Sequence, residues 1–337
     1  MPGMSGKYLL FSVDTEPDDA HWRGLSKSSW THENLRGLPG LIDRLRDLDL
    51  RATYLVSHSV AETGRLEDIL GQDLAAGRCE VGAHFHPGDT PPFGKAGAKA
   101  GDNLLKVPDG LLEEKFGNLH ATLARRFGKP ESYRSGAWAL DRRLIALLGK
   151  YGYKADSSVT PGVSWRVNGR PSYLTAPMRA YPLGAADPCI PGDTGILEVP
   201  VSIWSPRRWD GTLMGRLLGS VLTMPLGANK GPAARVVRRL RPGAPKWLRP
   251  AFKTLPEMEA TAARLEADGA GYLHVMCHSN ELWPGTSPYC ANRSDLDGIH
   301  ARLEGIFRWA LDRGYMPVTM ERFAGIHAAA LGLASGV

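Results

Sequence analysis

Two histidines, His84 and His86, stand one residue apart in Cys79-Glu80-Val81-Gly82-Ala83-His84-Phe85-His86-Pro87, just past a short apolar run and a glycine. Imidazoles leaving the end of a buried strand can converge on one metal ion when a carboxylate arrives from elsewhere in the chain. Phe11-Ser12-Val13-Asp14-Thr15-Glu16 offers two carboxylates at the end of another apolar run. Arg134, Asp156 and His278 occupy comparable places further on. Singly, each has an ordinary structural reading: an acid capping a loop, a hydrogen-bonded histidine, a salt-bridge partner. Acids, three histidines and an arginine at the same end of successive strands are harder to read that way together.

The elements that must position them alternate along the chain. Tyr8 to Val13 is continuously apolar, as expected of a strand buried on both faces. Leu38 to Leu48 carries Leu41, Leu45 and Leu48 at helical spacing. Ala52 to Val56 reads as a strand, Val60 to Ala76 as a helix ending near Gly77, and Glu80 to Ala83 as the strand that delivers His84. A long Gly/Pro/Asp-rich loop from Phe85 to about Lys106 leaves directly from the histidines, and loops of that length usually serve function. Further helices are predicted over Leu111 to Phe127, Leu140 to Tyr151, Glu257 to Asp268 and Leu296 to Arg313. Further strands are predicted over Ser132 to Ser135, Tyr153 to Val159, Ile196 to Ser202, Tyr272 to Cys277 and Met316 to Thr319. Barrels of alternating strand and helix build their sites at the C-terminal strand ends, where these residues fall.

The chain has 337 residues, 43% hydrophobic and 23% charged, enough for one α/β domain with a full core. The net charge of +6 is mild and no nucleic-acid recognition signature accompanies it. Cys79, Cys189, Cys277 and Cys290 form no C-x-x-C pair, so they are expected to be reduced core or loop residues. No export signal and no bilayer-length apolar run is found, which gives a cytoplasmic expectation. Two stretches interrupt the alternation: 160–195, rich in Pro, Gly and aromatics, and 207–250, with a basic cluster of Arg235, Arg238, Arg239, Arg241, Lys246 and Arg249. The second reads as a solvated basic excursion, or more sharply as a surface for peripheral contact with anionic membrane or a lipid-linked substrate.

In order and spacing the pieces resemble the polysaccharide deacetylase family, the NodB homology domain, akin to carbohydrate esterase family four. They are Phe-Ser-Val-Asp14-Thr-Glu16, Ala52-Thr-Tyr-Leu-Val, Glu80-Val-Gly-Ala-His84-Phe-His86-Pro, Tyr133-Arg134-Ser-Gly-Ala-Trp138, Tyr153-Lys-Ala-Asp156-Ser-Ser and Leu273-His-Val-Met-Cys-His278-Ser. The resemblance runs from about Tyr8 to Asp156 and from Ile196 to Phe323. It implies one α/β domain over 1–337, a distorted (β/α)7-type barrel with insertions at 160–195 and 207–250, and a hydrolase that removes N-acetyl groups from an amino sugar.

The family's roles, carried across residue by residue, imply Asp14 as general base. Glu16, His84 and His86 would be ligands of a divalent metal, zinc by expectation. Arg134 would hold Asp14 ionised, and His278 would be the general acid. The backbone N–H near Ala137 would cradle the oxyanion, Asp156 would tune His278, and Trp138 would wall the sugar or pack in the core. This chain departs from the pattern at three points, one being Ala137 where an aromatic usually follows the arginine motif. Thr15 separates the two acids, so which of them ligates stays open. Only Phe85 separates the two histidines, which leaves two arrangements open: a shortened loop that brings both to the metal, or a single histidine ligand with Asp89 or water completing the shell. The expected partner is a carbohydrate: an intracellular nucleotide- or lipid-linked sugar, or a nascent glycan. Alternatives are a sugar deformylase or other C–N hydrolase on the same fold, and a catalytically inactive glycan-binding or assembly protein.

Overall fold

A computed structural model of the chain describes residues 6–18, 31–93, 104–205 and 244–330. Its centre is strand β1 (Lys7–Thr15), in which every residue after the first is buried, as its unbroken apolar run requires. β1 pairs in parallel with β2 (Ala52–Val56), and the sheet continues through β3 (Cys79–Phe85), β4 (Ser132–Ser135), β5 (Ala155–Asp156) and β7 (Leu197–Glu198), all parallel. β6 (Tyr181–Pro182) lies antiparallel on the outer side of β7. On the other side of β1 runs β10 (Tyr272–His278), again parallel, and β11 (Tyr315–Pro317) joins β1 at its N-terminal end.

The sheet curls until its ends meet. Beyond β7, Val199 N–H still bonds Asp156 O, and then Ser202 N–H bonds His274 O in β10 at 3.0 Å. The small antiparallel pair β8 (Ile203–Trp204) and β9 (Lys246–Trp247) continues this seam. Leu248 N–H bonds Ser202 O at 3.0 Å, and Met276 N–H reaches Leu248 O at 3.4 Å. The result is the distorted barrel of seven parallel strands that the sequence implies, with β1, β2, β3, β4, β5, β7 and β10 as its staves.

The helices cover the outside. α1 (Leu38–Asp47) buries Leu38, Leu41, Ile42 and Leu45. The helix expected over Val60 to Ala76 is two, α2 (His58–Glu62) and α3 (Arg65–Ala75). Gly64 lies between them at φ 70°, and a left-handed residue ends one helix before the next begins. α4 (Asp109–Phe127) buries Leu112, Phe116, Leu119 and Leu123. α5 (Arg142–Tyr151) starts on an Asp141 side chain that accepts the Arg143 and Leu144 N–H groups, and it stops at left-handed Gly152. α6 (Leu255–Ala267) has a Thr254/Glu257 capping box. α7 (Arg293–Leu311) and α8 (Met320–Ala330) complete the set.

Two expected strands are shorter than predicted. Tyr153 to Val159 contributes only Ala155 and Asp156, and Ile196 to Ser202 only Leu197 and Glu198. The four cysteines are buried and free, as expected. Among the described residues no helix is long and apolar enough to cross a membrane. Most of the basic stretch 207–250 lies outside the described residues, and only its end at 244–250 is seen.

Candidate active site

Register puts the candidate residues on one face at the C-terminal strand ends, Asp14 being aligned through Leu55 with Gly82, two residues before His84. Asp14 on β1 is paired with His278 on β10, and His84 on β3 with Arg134 on β4. Side chains of parallel strands at paired positions emerge on the same face, so four residues from four strands share one opening.

Glu16, His84 and His86 come together there, with one ligand atom of each within 4.8 Å of the others. His86 Nε2 lies 3.1 Å from His84 Nε2 and 3.1 Å from Glu16 Oε2, and His84 Nε2 lies 3.6 Å from the same oxygen. A tetrahedral ion with bonds of about 2.1 Å separates its ligands by roughly 3.4 Å, so this triangle has the dimensions of one face of such a shell. His84 Nδ1 meets Arg134 O at 3.1 Å. An N–H there assigns the lone pair to Nε2, the nitrogen inside the triangle. Burial opposes ionisation of Glu16, yet the His84 and His86 imidazoles beside it hold its carboxyl well below the usual range. An imidazole pair with an ionised carboxylate is a donor set that fits a divalent ion such as zinc.

The compressed His84-Phe85-His86 spacing works because the two rings reach the triangle differently. His84 is the penultimate residue of β3, whereas His86 leaves the strand and lies against Gly136. A Cβ at Gly136 would stand 2.6 Å from Phe85 O and 2.7 Å from the His86 ring, so only glycine permits that approach. The loop behind His86 is pinned from within. Lys115 on α4 is buried, and its ammonium donates to Pro87 O, Thr90 O and Pro92 O at 2.9, 2.5 and 2.9 Å. Asp89 is not part of the triangle: its Oδ2 accepts the Ser59 N–H at 2.9 Å and tethers the start of α2.

Asp14 stands beside the triangle in contact with Arg134, whose Nη1 donates to Asp14 Oδ1 at 2.5 Å. Burial pushes Asp14 upward, and the charge of Arg134 outweighs it, so the carboxyl is held below its ordinary value. Arg134 itself is wholly enclosed. Its Nη2 donates to Ser12 Oγ and Ser157 Oγ at 3.0 and 2.9 Å, and its Nε to Ser157 O at 2.9 Å. Beneath it, His274 on β10 meets Ser12 Oγ through Nε2 at 2.9 Å and Val199 O through Nδ1 at 3.3 Å. Burial and the Arg134 charge push that imidazole down to about 3, so it is neutral.

His278 closes the site from β10. Its Nε2 is 3.6 Å from Asp14 Oδ2 and 3.9 Å from Glu16 Oε1. Its Nδ1 meets Arg249 Nη2 at 2.9 Å and lies 3.4 Å from Glu281 Oε1. Asp156 does not reach it. That side chain accepts from Ser158 at 2.5 Å and shares a buried pocket with Glu198, and burial raises both carboxyls. The groups that meet His278 in the place expected of Asp156 are Arg249 and Glu281.

Ala137 and Trp138 both adopt left-handed backbone, with φ 56° and 59°. Strain in two consecutive non-glycine residues costs on the order of 1–3 kcal/mol each and is characteristic of functional turns. Tyr173 OH donates to Trp138 O at 2.7 Å and Ser135 Oγ to Ala139 O at 2.8 Å, bonds that hold the turn in place. The Trp138 ring is a core residue, packed against Trp247 and lying 5.3 Å from the Arg134 guanidinium.

Several contributors escaped the sequence reading. Asn34 Nδ2 donates to Glu16 O and Ser279 Oγ at 2.6 and 2.8 Å, and Asn280 Nδ2 lies 3.4 Å from Glu16 Oε1. With Glu281, these make His278-Ser279-Asn280-Glu281 a continuous run of site residues. Its i,i+3 acid after a strand-end histidine was the available signal.

Neither a scan against protein families nor a search of curated proteins finds a match. Among solved structures the chain is similar to that of a proposed polysaccharide deacetylase from Mycobacterium smegmatis, with TM-score 0.52 and 16% identity over 100% of this chain and 95% of that one. It also matches a family 4 carbohydrate esterase from Streptomyces lividans in complex with acetate, at TM-score 0.43 and 12% identity over 94% and 93% of the two chains. A third match is a peptidoglycan deacetylase from Bacillus subtilis, at TM-score 0.42 and 11% identity over 98% of each. At such identities the first likeness is one of fold.

Proposed function

We infer that this chain is a metal-dependent N-deacetylase of the polysaccharide deacetylase type, acting on an N-acetylated amino sugar. One observation carries the reading: the Glu16–His84–His86 triangle stands beside Asp14, held ionised by Arg134, with His278 on its other side. Amide hydrolysis needs an activated water, a stabilised oxyanion and a proton for the leaving nitrogen. A divalent ion held by Glu16, His84 and His86 supplies Lewis acidity, lowering the pKa of a bound water to about 7 and polarising a carbonyl.

The chain's own residues do the rest. Asp14 accepts the proton that water loses as its oxygen bonds the acetyl carbon. Arg134 keeps that carboxylate charged and aimed, with four hydrogen bonds fixing the guanidinium. The strained turn at Ala137 and Trp138 supports a backbone N–H donor for the developing oxyanion. His278 presents Nε2 to the nitrogen, which gains a proton as the C–N bond breaks, leaving acetate and a free amine. Zinc is the proposed ion, from the two imidazoles and one carboxylate. The substrate is proposed to be a nucleotide- or lipid-linked amino sugar or a nascent glycan, on the strength of the basic cluster from Arg235 to Lys246. An inactive binding protein would have no need of the complete triangle, which favours the enzyme.

The test is acetate release from an N-acetylglucosamine oligosaccharide by the zinc- or cobalt-loaded chain. Release that disappears in Asp14→Asn while one ion per chain remains bound is expected. A chain that binds no divalent ion, or releases no acetate from N-acetylated sugars when loaded, would sink the reading.

A further inference from the structure

Arg249 belongs to none of the motifs that delineate the site. It lies at the end of a basic stretch whose composition suggests a solvated surface, yet it is buried. The barrel seam puts it there. β9 pairs with β8, Leu248 is hydrogen-bonded to both Ser202 and Met276, and the next residue therefore emerges beside the end of β10. Its guanidinium lies 4.2 Å over the Phe252 ring and 5.6 Å from the Tyr289 ring, and those two rings meet edge to face at 5.7 Å, so the cation rests against an aromatic corner. From that seat Nε donates to Glu281 Oε1 at 3.1 Å, and Nη2 donates both to the same oxygen and to His278 Nδ1, the latter at 2.9 Å.

A guanidinium has donors and no acceptor. Its 2.9 Å contact with Nδ1 is a hydrogen bond only if Nδ1 carries a lone pair. In the neutral ring the proton is then on Nε2, the nitrogen that faces Asp14 and Glu16. Glu281 lies at 3.4 Å from the same Nδ1, beyond the usual N–H···O range, so the arginine has the better geometry. Glu281 is itself wholly buried, and burial opposes its charge, but Arg249 holds it ionised below the usual carboxylate range. Its role follows from these contacts: it neutralises the arginine and fixes the guanidinium plane.

We propose that Arg249 is a positioning residue for His278, holding the imidazole in the Nε2–H tautomer with that proton turned into the site, and that Glu281 holds Arg249 in register. This rests on the deacetylase reading for what the proton is used for, but not for where the proton is. The tautomer is read by long-range 1H–15N correlation on the full chain labelled with 15N-histidine, at pH 8 and without added metal, the His278 signal being identified by its loss in His278→Gln.

In the wild type, Nε2 protonated and Nδ1 bare is expected. In Arg249→Met the Nε2–H preference is expected to be lost, with Nδ1–H appearing toward Glu281. In the acetate-release assay kcat is expected to fall roughly 10-fold to 100-fold with KM little changed, within the about 10²–10⁴-fold range of acid–base assistance. A wild-type ring protonated on Nδ1 would overturn the proposal, as would an Arg249→Met chain that keeps a pure Nε2–H ring. If Arg249→Met does not fold, Arg249→Gln tests the same point: an amide offers an acceptor as well as a donor, so the exclusive Nε2–H tautomer should again be lost, and its full retention would remove the assignment to Arg249. A chain that hydrolyses no N-acetyl sugar sinks the deacetylase reading while leaving the tautomer result to stand or fall by itself.

Discussion

His274 offers the sharpest quantitative test of the buried network under the site. It is enclosed on β10 between Ser12 and Val199, and Arg134 Nη2 lies 3.5 Å from its Nε2. Burial and that positive charge push its pKa from 6.5 to about 3. The folded chain therefore keeps the ring neutral, while the unfolded chain takes up a proton once pH falls below 6.5. The folded value is the lower one, so His274 favours folding fully above pH 6.5, and this contribution is lost as pH falls toward 3. Each pH unit inside that window is worth about 1.4 kcal/mol, so about 2 kcal/mol is lost by pH 5. Replacing His274 by Gln keeps a donor and an acceptor but removes the titration. Urea unfolding at pH 7.5 and pH 5.0 gives four stabilities. Wild type is expected to lose about 2 kcal/mol more than His274→Gln between the two pH values. Any packing penalty of the glutamine is the same at both pH values and cancels in this double difference. Equal losses in the two proteins would refute a neutral buried His274 and the Ser12–Arg134–His274 network with it.

Other outcomes follow from the site geometry. Asp14→Asn is expected to lower acetate release by about 10²–10⁴-fold, with metal stoichiometry by elemental analysis unchanged. Gly136→Ala drives a methyl into the His86 ring and Phe85 O; competition with a chromogenic chelator should show metal affinity falling about 10-fold to 100-fold. Free zinc at 100 times its Kd is expected to raise the unfolding free energy by about 2.7 kcal/mol, read by urea titration, and His84→Ala should abolish that gain.

The fold class and the six candidate site residues were legible in the sequence through the order and spacing of motifs that resemble the deacetylase family, and the strands say why. Parallel strands buried on both faces read as unbroken apolar runs, and the first polar residues after them mark the open end of the barrel. Asp14, Glu16, His84, His86 and His278 stand at that transition, whereas Arg134 lies inside the short polar strand Ser132–Ser135 and was marked by its motif. What was not legible depends on contacts between segments far apart. Arg249 looks like one more charge in a basic stretch, and only the β8–β9 seam turns it inward. Asp156 has the right motif position for a partner of His278, yet β5–β7 pairing sets it opposite Glu198 instead. His274 sits inside an apolar strand, where a histidine is unremarkable until Arg134 is found above it. The single helix expected from Val60 to Ala76 failed because the apolar spacing continues through Gly64, while the backbone there turns left-handed.

Lys115 has a consequence for how the site would meet the proposed ion. The loop from Pro87 to Pro92 folds its carbonyls around an ammonium that the protein carries within itself, much as such a loop would wrap a bound alkali ion. That internal cation is present whether or not zinc is. The backbone behind His86 is thus shaped before any ligand bond forms, and metal capture has little chain to order. Apo and loaded forms should accordingly share one loop conformation, and the ion should enter a ready-made seat instead of moulding it.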